Sequence, residues 1–156
     1  MKIKNSLKDK ITIFLATGGL IGFSPVAPGT FGSLAAVPLC WLLSLLGVKA
    51  GGLVLALLIG WSVLIAHATE QIEGEKDPKQ VVIDEICGMA VTLFALPFTP
   101  ITVICGFALF RLFDIVKPFP IRWLERKLPG GVGVVMDDLA AGLISNLILR
   151  FGITFF

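Results

Sequence analysis

Five acidic residues stand in three short groups, Asp84-Glu85, Asp114 and Asp137-Asp138, each at the edge of a long apolar run. An ionised carboxylate at the centre of a bilayer costs about 2.5–3.5 kcal/mol on the insertion scale, and less toward the interface. Five of them at such rims call for a cationic partner. A hard divalent cation such as Mg²⁺ takes carboxylate oxygens and keeps waters that a substrate phosphate can replace. Helix capping is the competing use, because an acid in a first turn favours the helix dipole. Asp84 and Asp138 both sit where a first turn is expected. Either alone fits a cap, whereas three groups converging on one rim fit a metal better.

Basic residues lie close by. Arg111, Asp114 and Lys117 are three residues apart, so they are neighbours on one helix. Arg111 and Lys117 read equally well as ion-pair partners of Asp114 or as ligands for phosphate oxygens. Residues 24–33, SPVAPGTFGS, form a Pro/Gly-punctuated turn. Gly29 and Gly32 can present backbone N–H groups to a phosphate there, with Ser33 capping the helix that follows. The spacing of Cys105 and Arg111 matches C-x5-R, but the five residues between them are apolar and helical, so no phosphate cradle forms. His67, the only histidine, reads as an interfacial or packing residue.

These groups need a scaffold, and composition says which kind. Hydrophobic residues make up 56% and charged residues 15% of the 156, with mean hydropathy +0.93. A soluble domain carries about 25% charged residues. The chain therefore reads as one domain, 1–156, built as an all-α polytopic membrane bundle. Apolar runs at 34–48, 51–69, 81–98, 101–116 and 138–156 give about four to five transmembrane helices. The third and fourth are short enough that 82–116 also fits a re-entrant hairpin. Interfacial helices are expected over 6–22 and after Pro120, where Ile121, Leu124 and Leu128 share a face opposite Arg122, Arg126 and Lys127. Pro129-Gly130-Gly131-Val132-Gly133 reads as a pliable turn. Cys40, Cys87 and Cys105 lie in apolar runs without CxxC spacing and read as packing residues. A net charge of +2 says nothing about nucleic acid, and no basic-aromatic patch suggests it, so none is expected as a partner. A cleaved signal peptide is not expected, because the apolar stretch behind Lys2, Lys4, Lys8 and Lys10 is short.

With five spans and the N-terminus inside, one side holds all eleven acidic residues and every Lys and Arg except Lys49 and Arg150. The positive-inside rule makes that side the cytoplasm.

Four stretches, SPVAPGTFGS, DPKQVVIDEICG, FRLFDIVKPFPIRWLE and GGVGVVMDDLAAG, occur in this order from about residue 17 onward. In order and spacing they resemble the phosphatidylglycerophosphatase A family. The resemblance implies a Mg²⁺-dependent lipid phosphatase of the bacterial inner membrane that converts phosphatidylglycerophosphate to phosphatidylglycerol and inorganic phosphate. Asp84 and Glu85 match the acidic pair of VIDE, Asp114 and Lys117 match FD-x-x-KP, Asp137-Asp138 match the DD pair, and Thr30 belongs to the PGT loop. The family includes soluble all-helical relatives, and the long apolar runs favour its membrane-embedded branch.

The combined expectation is specific. Asp84, Glu85, Asp114, Asp137 and Asp138 are the candidate metal ligands. Asp84, Glu85, Asp114, Lys117 and Asp138 are the candidate catalytic residues. Gly29, Thr30, Ser33 and Arg111 are the candidate phosphate contacts, and the partners are the lipid substrate and the bilayer. The alternative class is a small transport or ion-coupling protein using the same acids, although no span carries an acid at mid-depth.

Overall fold

The computed structural model describes residues 6–155. Lys2 and Lys4 lie outside them, as do the side chains of Glu125, Arg126 and Phe155. The elements are α1 (Leu7–Ala16), a 3-10 turn (Ile21–Phe23), α2 (Pro28–Leu45), α3 (Gly47–Glu73), α4 (Ile83–Leu93), α5 (Pro100–Val116), α6 (Ile121–Lys127) and α7 (Gly130–Phe155). The expected helical membrane bundle is present, and the described residues contain no strand. Three helices are long and apolar enough to cross a membrane: Pro28–Leu45, Gly47–Glu73 and Gly130–Thr154.

The third and fourth apolar runs, the pair that also fits a re-entrant hairpin, give the two helices α4 and α5, which fall outside that set. α4 has only 11 residues, about 16 Å at 1.5 Å per residue, against a hydrocarbon core of about 30 Å. Phe94 turns extended at φ −60°, ψ 129°, Ala95 is left-handed at φ 54°, and Pro97 follows. α5 then returns over 17 residues, capped by the Thr99 side chain, which accepts from the Thr102 N–H.

Two helix starts also differ from expectation. α2 begins inside the supposed Pro/Gly turn, because proline suits a first helical position, where its missing N–H costs nothing. Ser33 is therefore one turn inside the helix and not its cap; its hydroxyl donates to the Gly29 carbonyl at 2.7 Å. α7 likewise starts at Gly130, so the Gly-rich stretch is helical. Side chains there would collide with α3: a Cβ on Gly131 would meet the Val63 carbonyl and the His67 backbone. Asp137 and Asp138 consequently lie two turns into α7 and not in its first.

α4 is the central element, packed on α2, α3, α5 and α7. Between membrane helices lipid competes for apolar surface, so small residues and close backbone approach do the packing. Gly88 of α4 receives the Phe110 ring and the Asp138 carbonyl, and Gly142 of α7 receives the Gly88 carbonyl. Met89, Phe110 and Ala141 are fully buried around them. On the outside, Leu53, Leu57, Trp61 and Leu64 of α3 remain 61–68% exposed, a lipid-facing stripe at helical spacing.

The Gly142 contact is directly testable. Alanine in place of a mid-helix glycine normally adds about 1 kcal/mol of helix stability. Here Gly142→Ala is expected to lower the melting temperature in detergent, because the new methyl must displace the Gly88 carbonyl. A melting temperature equal to or above the parent's would contradict that contact.

Candidate active site

Asp84 and Glu85 occupy the first turn of α4, where the helix dipole favours negative charge. Asp138 reaches them from α7. Each of the three offers a carboxylate oxygen, and these oxygens all lie within 4.8 Å of one another. Asp84 is 7% exposed and Asp138 4%. Two unit charges at that separation repel by about 3.5 kcal/mol at an effective dielectric near 20. Asp84 Oδ1, Glu85 Oε2 and Asp138 Oδ2 are buried with no hydrogen-bond partner among the described residues. Burial first, then Glu85, push the Asp84 carboxyl well above the ordinary carboxylate range. Burial also raises Glu85. Buried polar atoms are normally satisfied, so three orphaned acceptors facing one another fit a bound cation.

The other two acids are held differently. Asp114 accepts from Arg111 Nη1 at 2.5 Å. Asp137, 5% exposed, accepts from Lys117 Nζ at 2.6 Å across the α5–α7 gap. Lys117 ends α5 in the left-handed region at φ 45°, a conformation that costs a non-glycine residue about 1–2 kcal/mol. The structure thus separates the five acids into a three-carboxylate cluster and two ion-paired neighbours. Asp114 and Asp137, expected among the metal ligands, belong to the second kind.

Phosphate candidates lie on the same side of the cluster. A Cβ on Gly29 would collide with the Glu85 carboxylate and the Arg111 guanidinium, so the start of α2 presses directly on both. Arg111 Nε is buried with no acceptor among the described residues. An orphaned donor beside three orphaned acceptors suits an anion bound next to a cation. Thr30 sits in the first turn of α2, and its N–H donates to the Ala27 carbonyl at 3.0 Å. Ser33 is turned back onto Gly29 as described. His67 meets Gln71 at 2.9 Å and lies against Gly130, and it adds no atom to the cluster.

Sequence reasoning missed Asp77. The segment 70–80 reads only as a water-exposed loop, yet the charge of Asp77 contributes to raising Asp84. Its N–H donates to Glu70 Oε1 at 3.1 Å, which ties the loop to the end of α3. The available signal was its position at the head of DPKQVVIDE, seven residues before Asp84.

Comparison with known proteins gives this geometry a lineage. A family model described as phosphatidylglycerophosphatase A matches residues 14–153. The chain belongs to the phosphatidylglycerophosphatase A family. It is 44% identical over 138 residues to a protein of Escherichia coli (strain K12) named phosphatidylglycerophosphatase A, covering 88% of this chain and 80% of that one. A Haemophilus influenzae protein of the same name is 39% identical over 148 residues, covering 94% and 90%. A Bacteroides thetaiotaomicron protein named putative phosphatidylinositol-3-phosphatase is 42% identical over 150 residues, covering 89% and 91%. No solved structure matches the chain. Membership in a phosphatase family sets aside the transport reading.

The cluster makes a thermodynamic prediction. Asp138→Asn removes one of three repelling charges, so in EDTA the variant should melt no lower than the parent. Adding Mg²⁺ should raise the parent's melting temperature, by linkage, and leave the variant's unchanged. A variant that melts lower in EDTA and still responds to Mg²⁺ would count against a cation site.

Proposed function

We propose that the protein is a Mg²⁺-dependent phosphatidylglycerophosphatase whose active site opens on the cytoplasmic face of a bacterial inner membrane. The observation that carries this is that the Asp84, Glu85 and Asp138 cluster holds one buried carboxylate oxygen from each acid without a hydrogen-bond partner, beside a buried Arg111 Nε in the same condition, in a chain of this family. Asp84, Glu85 and Asp138 hold the metal, which supplies charge neutralisation at the phosphoryl group and a lowered pKa for water. In the overall reaction water attacks phosphorus and the ester P–O bond breaks. Phosphatidylglycerol leaves as the alcohol once its oxygen gains a proton.

The chain's own residues do the positioning. Arg111 directs its guanidinium at the phosphoryl oxygens, where charge builds in the transition state. Asp114 fixes that guanidinium through the ion pair. The start of α2 around Gly29 and Thr30 turns its positive end toward the same phosphate. Lys117 holds Asp137 across the α5–α7 gap and keeps a cation at the edge of the site. The diacylglycerol stays in the bilayer, so only the headgroup has to reach the cluster.

Two experiments test this reading. Detergent-solubilised protein with phosphatidylglycerophosphate and Mg²⁺ should release phosphate, and EDTA should abolish release. Asp84→Asn and Asp138→Asn should each lower the rate by about 10²–10³-fold, since metal stabilisation of the transition state amounts to several kcal/mol. Arg111→Ala should cost about 10–10²-fold, the equivalent of a charged hydrogen bond. Absence of release by the parent, or full rates in both aspartate variants, would sink the proposal. Phosphatidylinositol 3-phosphate belongs in the same assay because of the Bacteroides relative's name; faster release from it would reassign the substrate. For orientation, a single cysteine at Lys49 should be labelled from outside intact cells, and one at Lys79 only after permeabilisation. The reverse pattern would move the site to the other face.

A further inference from the structure

α4 and α7 run in the same direction and meet at three levels, each four residues beyond the last. At the first, Asp84 and Glu85 face Asp138. At the second, Gly88 and Gly142 bring the two backbones together, leaving no room for a Cβ on either. At the third, Asn146 stands beside Thr92. Its Nδ2, with two hydrogens, faces three carbonyls of α4's end, so that one hydrogen is shared: Val91 at 3.1 Å, Thr92 at 2.9 Å and Phe94 at 3.0 Å. Most last-turn carbonyls have no donor within their own helix, and in a membrane no water replaces one; of the three, only the Val91 carbonyl also accepts a backbone N–H among the described residues, that of Phe94 at 3.3 Å. Asn146, 6% exposed, supplies the donors from the neighbouring helix.

Its orientation is fixed as well. Asn146 Oδ1 accepts from Arg150 Nε at 2.7 Å. Arg150 Nη2 in turn donates to the Phe94 carbonyl at 3.0 Å and the Ala95 carbonyl at 3.3 Å. With an N–H on its oxygen, the Asn146 amide has one way to face, with its nitrogen on the α4 carbonyls. Arg150, which lies far from the acids along α7, is therefore part of a cap.

We propose that Asn146, oriented by Arg150, is a positioning residue for the metal cluster. Held at its far end, α4 can neither slide along α7 nor turn about its own axis. One residue of slip moves Asp84 and Glu85 by about 1.5 Å along the axis and about 100° around it. Metal–ligand distances tolerate only about 0.2 Å. α4 needs this anchor because it stops after 11 residues and continues into irregular chain, not into more helix that could hold it. This inference rests on the reading of Asp84, Glu85 and Asp138 as the cation site.

The test reads metal binding directly. Purified protein in detergent is titrated with Mn²⁺, and free Mn²⁺ is followed by electron paramagnetic resonance. Unfolding is measured in parallel in EDTA. Asn146→Asp keeps the shape and the acceptor but loses the donors, and it should raise the Mn²⁺ dissociation constant about tenfold or more, the range seen when groups supporting metal ligands are lost. Arg150→Ala should weaken binding in the same direction, and Arg150→Lys should restore part of it. The lipid KM at saturating Mn²⁺ should stay at the parent value in all three. Leu147→Ala, exposed on the same helix, should bind Mn²⁺ as the parent does. If Asn146→Asp does not fold, Arg150→Ala at the exposed end carries the test. Lower melting temperatures with Mn²⁺ binding within twofold of the parent would overturn the proposal, leaving the cap a purely structural feature. A parent that binds no Mn²⁺ would overturn the cation site itself, and this inference with it.

Discussion

Crowding of three buried carboxylates into one space is the constraint on which the rest of the fold depends. At separations within 4.8 Å any two of them that carry charge repel by several kcal/mol, a large share of the 5–15 kcal/mol that keeps a typical domain folded. Packing elsewhere has to hold the carboxylates together. It does so through backbone approach more than side-chain bulk, with Gly88 against Phe110 and Asp138, Gly142 against Gly88, and Gly29 against Glu85. Each of these glycines lies within four residues of a cluster acid or touches one. Removing the side chain at the contact lets the helix carrying a carboxylate come close enough to share its site.

The ion pairs complete the arrangement by limiting how many acids enter the cluster. Five free carboxylates in one partly dehydrated space would bind a cation tightly, but without it they would repel one another far more. Arg111 draws Asp114 aside and Lys117 draws Asp137 aside. The carboxylates left to share one space are Asp84, Glu85 and Asp138, with the Arg111 guanidinium at their edge. Positive charge is thus kept near the cluster without being used up on its ligands. That combination suits a phosphate more than a cation alone.

Much of this was legible in the sequence, and the parts that were not share a cause. The rim placement of Asp84-Glu85, Asp114 and Asp137-Asp138 showed because charge in an apolar chain is rare and position-specific. The i,i+3 pairing of Arg111 with Asp114 followed from helix geometry alone. The start of α2 at Pro28 and of α7 at Gly130 did not show, because glycine and proline are weighed as breakers by local propensity. In this bundle the glycines serve interhelical contact, which is a tertiary fact. Lys117–Asp137, twenty residues apart, and Asn146 with α4, more than fifty apart, likewise depend on which helices are neighbours. The i,i+4 stripe of Asp138, Gly142 and Asn146 could be read as one face of a helix. Its partner face on α4 could not.

The misplaced start of α7 has a consequence for depth. Eight residues separate Gly130 from Asp138, about 12 Å of helix, whereas Asp84 lies in the first turn of α4. α7 therefore extends about two turns beyond the level at which α4 begins. α6 packs on α7, with Ile121 fully buried. Trp123 of α6 stays exposed, an amphipathic aromatic of the kind that favours the zone between hydrocarbon and water. Asp84 and Asp138 are themselves buried, not out in solvent. Lower water content there strengthens the pull between the acids and a cation, and between Arg111 and an anion. The same dehydration that makes the three carboxylates costly to assemble makes them effective once a cation joins them.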